Sequence, residues 1–226
     1  MIKLKHITVF AGHYGSGKTQ IAINYALWLR EQFDKVALVD LDVVNAYFRS
    51  ADAAALMKSR GIQLIASQFA GSNVDAPSIP PDVSAIFDQP DLHAVVDLGG
   101  DERGALALGR YAERFEGQGA DILMVINRFR MRTGTDRSVL EMKREIEAAA
   151  KVNFTGIVNN SNLGWQTEAR DIIESEHSYS KPVSEMIGLP LEMTSVRDDM
   201  YDDVIGWVTN PFALSIFSKE QWTLGN

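Results

Sequence analysis

Cysteine is missing from all 226 residues. That excludes disulfide frameworks, thiolate zinc sites, iron–sulfur ligation and cysteine nucleophiles. Histidine is scarce, and His6, His13, His93 and His177 are scattered, so no histidine-built metal centre is expected. No apolar run reaches the roughly 18 residues that a membrane-spanning helix needs. The opening M-I-K-L-K-H enters a strand pattern at once, without the apolar core of a signal peptide. The expected location is therefore cytoplasmic. Basic residues are outnumbered: 22 Lys and Arg stand against 30 Asp and Glu, a net charge of −8. Such a chain is a poor non-specific binder of nucleic acid or anionic membrane. Internal repeats and low-complexity tracts are also missing. With 46% hydrophobic residues the chain can bury a sizeable core, and one domain over residues 1–226 is the economical expectation.

What is present begins near the N-terminus. Ile7 to Ala11 is a short apolar, partly β-branched run, as a buried parallel strand would be. Next comes G-H-Y-G-S-G-K-T, which fits G-x-x-x-x-G-K-[ST] with Gly12, Gly17, Lys18 and Thr19 at the fixed positions. Ile21, Tyr25 and Leu29 then recur every four residues, one face of a helix. Strand, glycine loop and helix together read as a phosphate-binding P-loop. Glycines let successive N–H groups point into one concavity, and the helix adds its positive N-terminal end. Lys18 supplies a mobile charge for phosphates and Thr19 a hydroxyl for Mg²⁺. The candidate nucleotide contacts are Gly12, His13, Tyr14, Gly15, Ser16, Gly17, Lys18, Thr19 and Gln20.

Apolar runs alternate with helical patterns along the rest of the chain, which predicts βαβ units. The strands are expected at Val36–Val39, Ile62–Ala66, His93–Leu98, Asp121–Ile126, Phe154–Val158 and, as a short edge, Pro182–Met186. Helices are expected at Ala51–Lys58, Asp82–Phe87, Gly104–Phe115, Arg137–Lys151, Thr167–His177, Asp198–Val208 and Phe212–Phe217. The turn-rich stretch Gln68–Pro81 is read as a surface loop. The fold class is α/β: a three-layer P-loop arrangement with a mainly parallel central sheet flanked by helices.

Ligands of parallel α/β sheets bind at the carboxyl ends of strands, so acidic residues there matter most. V-D-L-D places Asp40 and Asp42 at one strand end, and V-V-D-L-G-G places Asp97 and Gly100 at another. After a P-loop, a strand-terminal Asp97 suits Mg²⁺, and D-x-x-G lets the Gly100 N–H meet a γ-phosphate. Asp42 suits the Mg²⁺ shell or the positioning of water. The plainer readings are a turn-capping Asp97 and a solvated Asp42. Arg49, in N-A-Y-F-R, and Arg128, Arg130 and Arg132, in N-R-F-R-M-R, lie at the same end of the sheet. They suit a protein partner, a small anionic substrate or the nucleotide phosphates, or else a solvated helix entry. No N-K-x-D occurs, which favours adenine over guanine.

These motifs resemble the MinD/ParA/CobQ-like P-loop ATPases, the class that also holds nitrogenase iron protein, dethiobiotin synthetase and the arsenite-pump ATPase. The resemblance covers roughly Lys5 to Met200. It implies ATP and Mg²⁺ as cofactors, with Lys18 and Asp42 catalytic and Thr19, Asp42 and Asp97 around the metal. It implies an adenine reader at the end of a later strand, which falls on Asn159 with Asn160 beside it. It also implies a proline near the base, matched by Ile187-Gly188-Leu189-Pro190. Members that dimerise around ATP carry a lysine directly after the first loop glycine, where this chain has His13. A homodimer is compatible with the pattern, but His13 does not supply that lysine. The tail N-P-F-A-L-S-I-F-S-K-E-Q-W is read as packed rather than membrane-bound. The expected function is a slow, Mg²⁺-dependent ATPase acting as a nucleotide-state switch for a partner. Alternatives are a kinase or ligase acting on a small anionic metabolite, and a regulatory module with negligible turnover.

Overall fold

The computed structural model of the protein describes residues 4–41, 51–66, 81–100 and 102–217. Asp42, Asn45, Tyr47, Phe48, Arg49 and most of the Gln68–Pro81 stretch lie outside the described residues. In chain order the elements are β1 (Ile7–Ala11), α1 (Lys18–Arg30), β2 (Val36–Leu41), α2 (Ala51–Ser59), β3 (Gln63–Ala66), α3 (Ala85–Asp88) and β4 (His93–Leu98). They continue with α4 (Glu102–Gly109), α5 (Ala112–Gly117), β5 (Asp121–Ile126), α6 (Asp136–Ala150), β6 (Gly156–Asn159) and α7 (Ala169–Ser175). The last are α8 (Lys181–Ile187), β7 (Leu191–Arg197), α9 (Tyr201–Val204) and β8 (Pro211–Leu214). The eight strands among the described residues form one sheet in the order β3-β2-β4-β1-β5-β6-β7-β8, and every neighbouring pair is parallel. The α/β class and the parallel sheet expected from the alternating pattern are both present.

Helices cover both faces of the sheet, which is why its strands are apolar along their length rather than alternating. Ile7, Val9 and Ala11 of β1 pack into a core shared with Leu108, Val139, Met142, Ile146 and Val183. Phe10 faces the other way, onto Ile21, Tyr25 and Leu29 of α1. The four-residue stripe read from the sequence is thus the face of α1 that meets the sheet. Phe10 is fully buried and its ring meets Tyr25 edge-on at 5.3 Å. Truncating such a side chain to alanine typically costs about 3–5 kcal/mol.

Four expected elements are corrected by the structure. Pro182–Met186 is helix, not edge strand: it lies in α8, with Pro182 its second residue, directly after a π-helical segment. The strand is the following L-E-M-T-S-V-R, β7. Phe212–Phe217 is not a helix. Its first part is β8, in which Phe212 and Leu214 are buried and Ala213 exposed, a period of two. Asp198–Val208 is a 3₁₀ turn followed by only one short helix, and the chain turns at Gly206, where φ is +84°. Gly104–Phe115 is divided between α4 and α5, and α5 starts after Tyr111. Between α7 and α8 the backbone adopts a π-helical segment, Glu176–Ser180. It turns Glu176 and Tyr179 inward. Among the described residues no helix is long and apolar enough to cross a membrane.

Candidate functional site

β1 lies between β4 and β5; the chain leaves it through α1 for β2 on one side and later crosses from β4 to β5 on the other. That makes the carboxyl end of β1 a switch point, where open α/β sheets hold ligands. The loop Gly12–Gly17 lies there. Gly12 is pressed against β5: a Cβ on it would sit 2.7 Å from the Val125 carbonyl oxygen. Gly17 caps α1 with φ +87°, a left-handed conformation that favours glycine. Ser16 N–H donates to the His13 carbonyl at 3.1 Å, closing the curl. Lys18 and Thr19 open the helix and are 4% and 8% exposed. Gly15 borders open space, and Tyr14 is 78% exposed. Among the described residues the buried Ser16 Oγ has no hydrogen-bond partner, which leaves an unsatisfied group inside the cradle.

Asp97 is the penultimate residue of β4, the strand beside β1, in register with Phe10 on one side and Asp40 on the other. Its Oδ2 accepts a hydrogen bond from Thr19 Oγ1 at 2.6 Å, fully buried. Gly100 lies directly under the loop. A Cβ there would stand 2.0 Å from the Gly12 carbonyl oxygen and 2.6 Å from His13 Cα. The structure therefore brings together the glycine loop, Lys18, Thr19, Asp97 and Gly100. Asp42 lies outside the described residues.

His13 is half-buried. Burial pushes its imidazole below the usual range, the Arg132 charge pushes the same way, and Glu145 opposes them. These effects favour the neutral imidazole, which makes it a poor substitute for a lysine charge.

A second feature adjoins the loop. A cavity of about 170 Å³ is lined by Gly17, Gln20, Asn160, Asn162, Gly164, Trp165, Thr167, Ser195, Arg197 and several apolar side chains. Asn160 forms its inner corner. Its Nδ2 donates to the Ser16 carbonyl at 2.6 Å, and its Oδ1 accepts from Ser195 Oγ at 2.5 Å. Arg197 clasps Asp199 through two nitrogens, at 2.7 and 2.9 Å, and lies 5.1 Å from the centre of the Trp165 ring.

Asn159 does not line this cavity. It is fully buried beneath β6: its Nδ2 donates to Ser175 Oγ and Thr194 Oγ1, and its Oδ1 accepts from Ser161 N–H and Oγ. Pro190 precedes β7, at the opposite end of the sheet from the cavity. The residues missed by sequence reading are Asn162, Trp165, Ser195 and Arg197. The signal for them was the polar density at the ends of β6 and β7, N-N-S-N and T-S-V-R.

The arginines divide. Arg128 donates to Ser178 Oγ at 2.6 Å and lies 3.5 Å from Glu174, while Arg137 pairs with Glu141. Arg130 and Arg132 are exposed on the loop after β5.

Among curated proteins, none is similar enough to this chain to be matched. Solved structures share the fold. The cell division protein FtsY of Thermotoga maritima matches with a TM-score of 0.58 at 16% identity, over 86% of this chain and 62% of its own. FtsY of Mycoplasma mycoides matches with a TM-score of 0.53 at 18% identity, over 87% and 61%. The 54 kDa signal recognition particle protein of Aeropyrum pernix, solved with GDP, gives 0.55 at 13% identity, over 85% and 41%. The chain thus spans about six tenths or less of the length of these structures. A model of the CobQ/CobB/MinD/ParA nucleotide binding domain matches residues 7–172, most of the chain, from β1 through the phosphate loop, Asp97 and Asn160 into α7. The chain belongs to the CobQ/CobB/MinD/ParA nucleotide-binding family.

Proposed function

We propose that this P-loop domain binds ATP with Mg²⁺, hydrolyses it slowly and serves as a nucleotide-state switch for a partner. The observation that carries the reading is the buried Thr19–Asp97 hydrogen bond at the mouth of the glycine loop. A hydroxyl and a carboxylate are hard oxygen donors suited to Mg²⁺, whose remaining positions go to water and phosphate oxygens. Lys18 would meet the β- and γ-phosphates. Gly100, packed under Gly12, would sense the γ-phosphate through its loop. Asp42 would orient the attacking water.

Adenine is the base that the cavity chemistry favours. Guanine presents adjacent N–H donors that a carboxylate satisfies best, and no Asp or Glu is among the described residues lining the cavity. Asn160 and Asn162 each make one internal bond as donor and one as acceptor, and the second N–H and second lone pair of each amide suit the adenine edge. The Asn159 assignment passes to Asn160 in this proposal, because Asn160 lines the cavity and Asn159 does not.

Calorimetry tests the reading. Mg²⁺-ATP should bind, Lys18→Ala should abolish binding, and GTP should bind at least about tenfold more weakly, roughly 1.4 kcal/mol. Wild-type protein that shows no Mg²⁺-dependent ATP binding would overturn it.

A second reading, phosphoryl transfer or ligation to a small anionic acceptor, draws on Arg130, exposed at the same end of the sheet. It requires that one carboxylate or phosphate metabolite sharply accelerate ATP turnover. A metabolite screen without such an acceptor removes it.

A further inference from the structure

The loop between β5 and α6 is built as a rigid turn. Thr133 Oγ1 donates to the Asn127 carbonyl at 2.8 Å and accepts from the Asn127 N–H at 3.2 Å, tying the two ends together. Arg130 N–H donates to the Asn127 carbonyl, and Thr133 N–H donates to the Arg130 carbonyl. Tyr179 Oη donates to the Thr133 carbonyl from the π-helical segment. Gly134 completes the closure, since a Cβ there would stand 2.9 Å from the Arg128 carbonyl oxygen. What this frame displays is Arg130-Met131-Arg132, with Met131 97% exposed.

The root of the turn adjoins the phosphate cradle. β5 pairs directly with β1, and the Val125 carbonyl touches Gly12. Arg132 lies within electrostatic reach of His13, the second residue of the cradle. Arg128, Arg137 and Arg197 are all engaged by carboxylates. No side-chain hydrogen bond or ion pair to Arg130 or Arg132 is found among the described residues. Among the described residues, the loop thus presents guanidinium groups without a carboxylate partner at the side of the phosphate loop, on a chain of net charge −8. Charge fixed before the reaction, where negative charge must be met, is how electrostatic catalysis avoids reorganisation cost.

We propose that Arg132 is a catalytic residue, an arginine finger supplied by the same chain, whose guanidinium contacts the γ-phosphate oxygens during hydrolysis. The proposal rests on the reading of the cradle as a triphosphate site. A water oxygen bonds to the γ-phosphorus while the bond from phosphorus to the β–γ bridging oxygen breaks. ADP leaves with that electron pair, and the water proton ends on the released phosphate. Arg132 stays protonated throughout and offers its planar pair of N–H donors to the equatorial oxygens.

The experiment is ATP turnover by full-length wild type, Arg132→Ala and Arg132→Lys, with Mg²⁺-ATP affinity measured for each. Arg132→Ala should lower kcat on the order of 10³-fold, the scale of known arginine fingers. Affinity should stay within about threefold, the split expected of a group acting in the transition state. Arg132→Lys should recover little, because lysine lacks the planar fork. Turnover per molecule should not depend on protein concentration. Mixing Arg132→Ala with Lys18→Ala should restore nothing, since the arginine acts in its own chain. Unchanged kcat in Arg132→Ala with ATP binding intact sinks the finger alone, and restored activity in the mixture sinks its action in cis. Failure of the wild type to bind Mg²⁺-ATP sinks the underlying reading with it.

Discussion

Asn160 Nδ2 donates to the Ser16 carbonyl at 2.6 Å, joining residues 144 positions apart. The same amide accepts from Ser195 Oγ. One side chain thus ties the phosphate loop to the ends of β6 and β7 and forms the wall shared by cradle and cavity. Asn160→Ala leaves the Ser16 carbonyl and the Ser195 hydroxyl without this partner in a buried setting. The unfolding free energy should fall by about 1–3 kcal/mol in urea melts. Nucleotide affinity should weaken as well. An unchanged melt would remove the tie from the account.

Gly100 has no room for a methyl group, because the obstacle is the Gly12 backbone and not a flexible side-chain end. Gly100→Ala must displace the phosphate loop. Nucleotide affinity should fall by more than about tenfold, over 1.4 kcal/mol. Gly117→Ala, at a position bordered by open space, is the control and should bind normally in the same titration.

Thr19 carries both a structural hydrogen bond and the proposed metal contact. Thr19→Ser keeps the hydroxyl and should keep Mg²⁺-stimulated ATP binding. Thr19→Val removes it, leaves Asp97 short of a donor, and should cost roughly 1.5–3 kcal/mol of stability, the scale for a hydrogen bond to a charged group. In calorimetry with and without Mg²⁺, the valine variant should lose most of the metal's effect. Equal stimulation in both variants would take Thr19 out of the metal shell.

Glu176 is fully buried in the π-helical segment. Burial alone would raise its pKa. The Thr194 hydroxyl, the Thr209 N–H and hydroxyl, and Lys181 outweigh that and leave it below the ordinary value of 4.5. A carboxylate with a depressed folded pKa contributes stability that is present above its unfolded value and lost as pH falls through the folded one. Melting temperature should therefore drop as pH goes below about 4.5. In Glu176→Gln that acid dependence should flatten, from a lower starting stability at pH 7. A parallel acid limb in both proteins would count against it.

The cradle was legible because it is local. Gly12 to Thr19 are consecutive, their flanks follow strand and helix periodicities, and the chemistry of a turn plus a helix N-terminus is contained in that short stretch. Asp97 was legible for a related reason: a buried strand ending in Asp places the carboxylate where parallel sheets bind ligands. Less legible were the elements after Asn160. Pro182–Met186 and Phe212–Phe217 are short and apolar, and neither run is long enough for its period to separate helix from strand. Tertiary packing decided them. Ser215 N–H donates to Asn24 Oδ1, and Asn24 Nδ2 donates back to the Ser215 carbonyl, fastening the chain just after β8 to α1.

From its sequence alone this protein was determined to be a parallel α/β phosphate binder, since loop geometry and strand alternation act over a few residues. Which asparagine meets the cavity was settled only by the tertiary structure. Successive side chains at a strand end point to opposite sides. Asn159 and Asn160 therefore differ by one position in the chain but by a whole face in space. One is used up under β6 by Ser161, Ser175 and Thr194, while the other turns toward Ser16. The packing of α7, β7 and the phosphate loop around that strand end chose between them, and those contacts join residues 16 to 144 positions apart.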